Sequence, residues 1–107
     1  MHLYPVNGKV NRVGETDTAF SYRDAVWSEV IVGVDPDPAN YGKISDWARN
    51  YYNALHPFGA GGAYLNFMMD EGEERIRATY RGNYDRLAAI KAKYDPDNFF
   101  QYPQSIR

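Results

Sequence analysis

The sequence lacks cysteine, contains only two histidines and has no long apolar run. Without cysteine, the chain can form no disulfides and offers no thiolate ligands to a metal. No segment approaches the roughly 18 apolar residues of a membrane span, and the N-terminus lacks the charged start and apolar stretch of a signal peptide. A formal charge of −2 leaves no basic stripe for nucleic acid. These absences predict a cytoplasmic protein that binds neither nucleic acid nor a membrane.

The length and the aromatic content limit what the chain can be. Its 107 residues suffice for one domain with one modest core. Ten of these residues are tyrosines, which suit half-buried surfaces where the ring needs cover and the hydroxyl needs a partner. The composition therefore predicts a single domain with an aromatic interface or pocket.

Apolar patterns predict about three strands. Residues 10–13 close a short strand that begins near Tyr4, although a proline and a glycine interrupt it. The β-branched and apolar stretch 25–34 is the strongest strand in the sequence. A third strand is predicted from Ala63 to Met68, where an apolar run lies between glycines and acids.

Helical spacing predicts two helices and a shorter helical turn. The first helix is expected to begin at Asp37 and Pro38, a cap and first-turn pair, and to end at Leu55. A short turn is predicted around residues 75–78 and a second helix over residues 83–94. Together these elements predict an α+β fold, with an antiparallel sheet of about three strands and helices packed on one face.

The predicted third strand carries two polar side chains on one face. Strand alternation places Leu65 and Phe67 on the core face, where we expect them to pack against the helix that carries Trp47. Tyr64 and Asn66 share the opposite face. Either these two side chains face solvent or neighbouring backbone, as in many half-exposed strands, or they line a site.

The other candidate sites have structural interpretations. The glycines of residues 59–62 are too few for a phosphate-binding loop and predict a flexible turn. His2 lies at a chain end and His56 at a helix end, so we expect no metal site from them. The acids of residues 70–74 are expected to cap the next helical turn. Ser28 has no histidine placed to make it a nucleophile.

Ordered motifs in the second half resemble a known family. The stretches AYLNFMMDEG, YRGNYDRLAAIKAKYDP and DNFFQYPQSI are similar to the C-terminal, berberine and berberine-like, domain of the berberine bridge enzyme family of FAD-linked oxidases. One departure is the extra Arg81. The resemblance is tight over residues 63–106 and extends upstream through TAFSYRDAVW, so we interpret residues 1–107 as one segment. The shared positions are Tyr64, Asn66, Tyr80, Gly82, Asn83, Arg86, Leu87, Lys91, Asp95, Pro96, Asn98, Phe100 and Gln104 to Ile106.

The resemblance implies that the chain is the last part of a larger substrate domain in an FAD-dependent oxidoreductase. In the family, an upstream domain binds most of the FAD, and nothing in these residues matches it. The implied partners are an FAD-binding domain, in cis or as a separate chain, and a small-molecule substrate. The isolated chain is then expected to be inactive. Its uncovered sheet edge and apolar face predict self-association into a homo-oligomer.

The resemblance also implies roles for three side chains. Tyr64 corresponds to a tyrosine that acts as the catalytic base, removing a proton from the substrate as hydride leaves for the flavin. Asn66 would orient the phenol or bind the flavin edge, and Asn98 would contact the cofactor. The alternative for Asn98 is that it caps its own turn. The alternative for the whole chain is a non-catalytic binding or assembly module that kept the fold without the flavin.

Overall fold

The computed structural model describes residues 1–102 and 105–106. Within them, strand β1 (His2–Pro5) pairs antiparallel with strand β2 (Trp27–Val30), and His2 lies opposite Val30. The strongest predicted strand is thus confirmed over its central part. The strands are largely exposed, and a two-stranded hairpin is only marginally stable in isolation. The pair of strands therefore depends on the rest of the fold for its stability.

The strand predicted to begin near Tyr4 is present as β1, but its predicted close over residues 10–13 is wrong. Residues Val10–Arg12 form a 3-10 turn, in which the Arg12 N–H donates to the Lys9 carbonyl at 3.1 Å. The cause is local, because Gly8 adopts a left-handed φ of 69° and turns the chain out of β1. The observed sheet has two strands instead of about three, and the α+β class is confirmed.

In the described residues, three α-helices follow the sheet: α1 (Tyr41–Leu55), α2 (Glu73–Tyr80) and α3 (Tyr84–Tyr94). A 3-10 turn precedes α1, and there the Asp37 carboxylate accepts the Ala39 N–H at 3.0 Å, as expected of a cap. The short predicted turn is the complete helix α2. None of the helices in the described ranges is long and apolar enough to cross a membrane.

The third predicted strand is also wrong. Residues Leu65–Phe67 form a 3-10 turn, closed by bonds from the Phe67 N–H to the Tyr64 carbonyl at 2.9 Å and from the Met68 N–H to the Leu65 carbonyl at 3.1 Å. These backbone groups bond locally instead of to a neighbouring strand. In a 3-10 turn, side chains do not alternate between two faces as they do in a strand. Phe67 is accordingly 62% exposed and does not belong to the core.

The core lies between α2, α3 and the 3-10 turn at residues 65–67. Met68, Ile76 and Tyr84 are each 5% exposed, and partly buried apolar side chains surround them: Ala63, Leu65, Tyr80, Ala88 and Ile106. Leu65 therefore packs against this cluster, and the expectation that it packs with Phe67 on the first helix is corrected. Helix α1 has no buried residue. The apolar core is therefore formed by the second half of the chain, which also carries the family motifs.

A buried polar network joins the first half of the chain to this core. Ser21 is 1% exposed and donates its hydroxyl to the Tyr80 carbonyl at 2.5 Å. Asn83 is 4% exposed, and its amide nitrogen donates to Ser21 Oγ at 2.9 Å and to the Glu15 carbonyl at 2.8 Å. Because unpaired buried polar groups are costly, this network fixes residues 15–24 against the junction of α2 and α3.

Candidate functional site

Tyr64 and Asn66 lie side by side although the strand that was predicted to align them is absent. The Asn66 amide nitrogen donates a hydrogen bond to the Tyr64 phenol oxygen at 3.0 Å. The Tyr64 ring makes edge contacts with Phe67, at 5.1 Å between centroids, and with Phe20, at 6.4 Å. Tyr64 is 45% exposed. The phenol is thus oriented by an amide and an aromatic pair while remaining open on one side.

Asn66 lines a groove of about 520 Å³. One wall belongs to the 3-10 turn at residues 65–67 and to α3, and the other wall belongs to the C-terminal tail. Tyr64 itself does not line the groove, so Asn66 is the side chain that connects the phenol to it. Most of the lining is apolar: Leu65, Tyr80, Leu87, Ile90, Phe100 and Ile106, with Asn66, Lys91, Tyr102 and Ser105 as the other members.

Two groups with shifted pKa values lie at or next to this groove. Burial raises the pKa of the Tyr80 phenol above its ordinary 10.0, so Tyr80 stays protonated at neutral pH. Hydrogen bonding from the Lys91 ammonium holds the pKa of Asp95 below its ordinary 3.8, and the N–H groups of Phe99 and Phe100 act in the same direction. Lys91 also donates to the Phe100 carbonyl at 2.9 Å. The Lys91–Asp95 pair therefore fixes the C-terminal tail, which forms one wall of the groove.

Asn98 lies in the turn that this pair holds together. Its backbone adopts a left-handed φ of 51°, a conformation that asparagine tolerates better than most residues. Asp95 caps the turn, accepting the N–H groups of Phe99 at 2.7 Å and Phe100 at 3.1 Å. Among the described residues, Asn98 Oδ1 is a buried acceptor without a hydrogen-bond partner. The capping role that was open to Asn98 belongs to the Asp95 carboxylate.

Sequence reasoning missed Arg75. Its guanidinium donates to the carbonyl of Gly61 at 2.5 Å and to that of Gly62 at 3.3 Å, three and two residues before Tyr64. Its Nε donates to Glu71 Oε2 at 3.3 Å. The i,i+4 spacing of Glu71 and Arg75 was a signal for an ion pair, but nothing in the sequence indicated contact with the glycine carbonyls.

The acids of residues 70–74 do not cap α2 as expected, because its N-cap is Gly72 and no side chain makes a cap hydrogen bond there. Glu73 and Glu74 lie in the first turn of α2, and Glu73 pairs with Arg77 at 3.2 Å. No group of three or more metal-ligating side chains occurs within residues 1–102 and 105–106. Gln104, one of the positions of the family resemblance, lies outside the described residues.

Comparison with known proteins agrees with the motifs. Residues 63–107 match the family described as "Berberine and berberine like". Over 98% of its length, the chain is 31% identical to an aclacinomycin-N/aclacinomycin-A oxidase of Streptomyces galilaeus, of which it spans 23%. It is 33% identical, over 92% of its length, to YvdP, an uncharacterized FAD-linked oxidoreductase of Bacillus subtilis (strain 168), of which it spans 22%.

The fold gives the same result. The crystal structure of an aclacinomycin oxidoreductase superposes with a TM-score of 0.78 at 27% identity, covering 98% of this chain and 25% of that protein. The chain is therefore a domain segment related to the FAD-linked oxidoreductases, and its fold is part of a larger domain. Over residues 63–107 it is similar to the berberine and berberine-like family. It spans between 22% and 25% of the length of these relatives.

Proposed function

We propose that this chain covers the flavin of an FAD-dependent oxidoreductase and lines the pocket for a small-molecule substrate. An FAD-binding domain, in cis or as a separate chain, would hold most of the cofactor. The observation that carries the proposal is the pair formed by Tyr64 and Asn66, a half-exposed phenol whose oxygen accepts an amide N–H at 3.0 Å. FAD-linked relatives that match nearly the whole chain support the cofactor.

The proposed role of Tyr64 is to remove a proton from the substrate. When FAD is bound, it supplies the acceptor for the hydride. A general base must be held within reach of the proton that it removes, and a hydrogen bond donated to the phenol oxygen helps to hold it in position. Asn66 provides such a bond, and the edges of the Phe67 and Phe20 rings hold the Tyr64 ring in one orientation.

The chain offers two amides that fit a flavin edge. The flavin ring system presents both hydrogen-bond donors and acceptors, and an asparagine side chain can satisfy either. Asn98 Oδ1 is a buried acceptor without a partner in the described part of the chain, which is the condition expected of a group that a cofactor later satisfies. Asn66 lies at the end of the groove. We therefore assign Asn66 and Asn98 to cofactor binding within this proposal.

A hybrid flavoprotein tests whether the chain covers FAD. Residues 1–107 would replace the matching segment of the Streptomyces galilaeus oxidase, and iodide quenching of flavin fluorescence would be compared with the same protein lacking that segment. We expect the hybrid to shield the flavin strongly. A folded hybrid whose flavin is as open to iodide as that of the truncated protein would contradict the proposal and favour a non-catalytic module.

An Asn98→Gly hybrid tests the cofactor contact separately. Glycine tolerates the left-handed φ of 51°, so the substitution removes the amide without straining the turn. One lost hydrogen bond of ordinary strength predicts an FAD dissociation constant about tenfold higher. An unchanged dissociation constant would remove Asn98 from the cofactor site.

A further inference from the structure

We infer that Arg75 is a positioning residue for Tyr64, an inference that rests on the proposed function of Tyr64. Arg75 does not reach the phenol. Its guanidinium donates hydrogen bonds to two backbone carbonyls that lie before Tyr64 in the sequence, that of Gly61 at 2.5 Å and that of Gly62 at 3.3 Å. A guanidinium carries a fixed fork of donors and can hold two carbonyls at once.

All three nitrogens of the Arg75 guanidinium are engaged within the protein. Nη1 and Nη2 donate to the glycine carbonyls, and Nε donates to Glu71 at 3.3 Å. The group also lies over the Tyr52 ring at 5.4 Å, and the side chain is only 15% exposed. An arginine whose three nitrogens all bond within the protein is suited to fixing the backbone, not to binding a substrate anion.

The segment that Arg75 holds begins with a conformationally free residue. Gly61 adopts a left-handed φ of 87°, and no atom lies within 4 Å of where its β-carbon would be. Glycine is also the residue with the largest backbone freedom. Farther along, Tyr64 is 45% exposed, so burial alone does not fix it. The position of the backbone before Tyr64 therefore contributes to where its phenol points, together with the contacts of Asn66, Phe67 and Phe20.

The neighbouring Arg77 provides a matched control on the same helix. It pairs with Glu73 at 3.2 Å and lies over the Tyr84 ring at 4.0 Å, and its side chain is 54% exposed. It makes no hydrogen bond to residues 59–64 in the part of the chain described. Each arginine carries one positive charge of α2 and pairs with an acid four residues earlier, but only Arg75 holds the carbonyls before Tyr64.

The test uses the 107-residue chain itself, without flavin. Arg75→Lys keeps the positive charge next to Glu71, but an ammonium cannot hold both carbonyls as a fork does. In ¹³C- and ¹⁵N-labelled chain, we expect the nuclear Overhauser contact between the Tyr64 ring and the Asn66 amide to weaken at least twofold. Amide exchange of residues 61–64 should accelerate about tenfold, whereas Arg77→Lys should change neither quantity.

Two results would overturn the inference. One is an Arg75→Lys chain that keeps the Tyr64–Asn66 contact and the exchange rates of the parent chain. The other is an equal loss in Arg77→Lys, because the effect would then belong to helix α2 in general. If Arg75→Lys does not fold, Glu71→Gln, which removes only the partner of Nε, is expected to give the same changes at a smaller size, and unchanged signals in it would also overturn the inference. A normal rate of flavin reduction in Tyr64→Phe would contradict the proposed function and leave this geometric result in place.

Discussion

The Tyr22 ring occupies the space that a β-carbon on Gly62 would need. Such a β-carbon would overlap Cε2 and Cζ of the ring. The ring is not free to move aside, because its hydroxyl donates to the Ala78 carbonyl at 2.7 Å and the Arg81 guanidinium lies over it at 3.7 Å. A glycine is therefore required at position 62, because the Tyr22 ring lies too close for a side chain. This contact joins the first half of the chain to the residues just before Tyr64.

Gly62→Ala should destabilise the chain. Overpacking of a fixed ring typically costs about 1–3 kcal/mol in the free energy of unfolding, measured here by urea denaturation. Gly42→Ala is the control, because Gly42 lies in α1 with no atom within 4 Å of its β-carbon position. Alanine there should stabilise the chain by up to about 1 kcal/mol. Equal effects from the two substitutions would show that the Tyr22 contact carries no weight.

Arg81, the departure from the family pattern, combines a strained backbone with favourable side-chain contacts. Its φ of 47° and ψ of −132° favour glycine, while its guanidinium pairs with Asp24 at 3.0 Å. Arg81→Gly and Arg81→Ala both remove the guanidinium, so their difference reports the backbone alone. The glycine variant should be more stable than the alanine variant by about 1 kcal/mol in urea denaturation. An alanine variant as stable as the glycine variant would show that the backbone at residue 81 is unstrained.

The ion pair of Lys91 and Asp95 should make the stability of the fold depend on pH in the acid range. Because the folded-state pKa of Asp95 is held below 3.8, its contribution is complete above about pH 4 and is lost as pH falls through the folded-state value. Asp95→Asn should therefore flatten the fall in melting temperature below pH 4 and lower stability at pH 7. Asp97→Asn, at an exposed position of the same turn, is the control. An Asp95→Asn chain with the acid dependence of the parent would contradict this account.

The helices and the family could be predicted from the sequence, because both depend on patterns that local spacing preserves. Asp37 caps the turn before α1 as expected, and α3 ends before Pro96. The apolar run after Gly62 has the composition of a strand. It forms a 3-10 turn, in which the Phe67 and Met68 N–H groups bond to carbonyls three residues earlier and not to a neighbouring strand.

The candidate site was predictable in part. Tyr64 and Asn66 were expected together, and they are joined by a hydrogen bond, although a turn and not strand alternation brings them together. The supports of the site could not be predicted, since they are long-range. The hydroxyl of Tyr22 bonds to Ala78, and Arg75 bonds to the carbonyl of Gly61. No periodicity in the sequence encodes a contact between a side chain and a distant carbonyl.

The rate of flavin reduction in a Tyr64→Phe hybrid flavoprotein tests the central claim most directly. The substitution removes one hydroxyl and keeps the ring contacts with Phe67 and Phe20, so the fold and the FAD content should be unchanged. Tyr94→Phe, which removes a hydroxyl from a residue 74% exposed on α3, is the control. In anaerobic stopped-flow experiments with the substrate of the parent oxidase, loss of the base should slow flavin reduction by about 10²- to 10⁴-fold, with a much smaller change in substrate affinity. A Tyr64→Phe hybrid that reduces its flavin as fast as the Tyr94→Phe control would contradict the assignment of Tyr64 as the base.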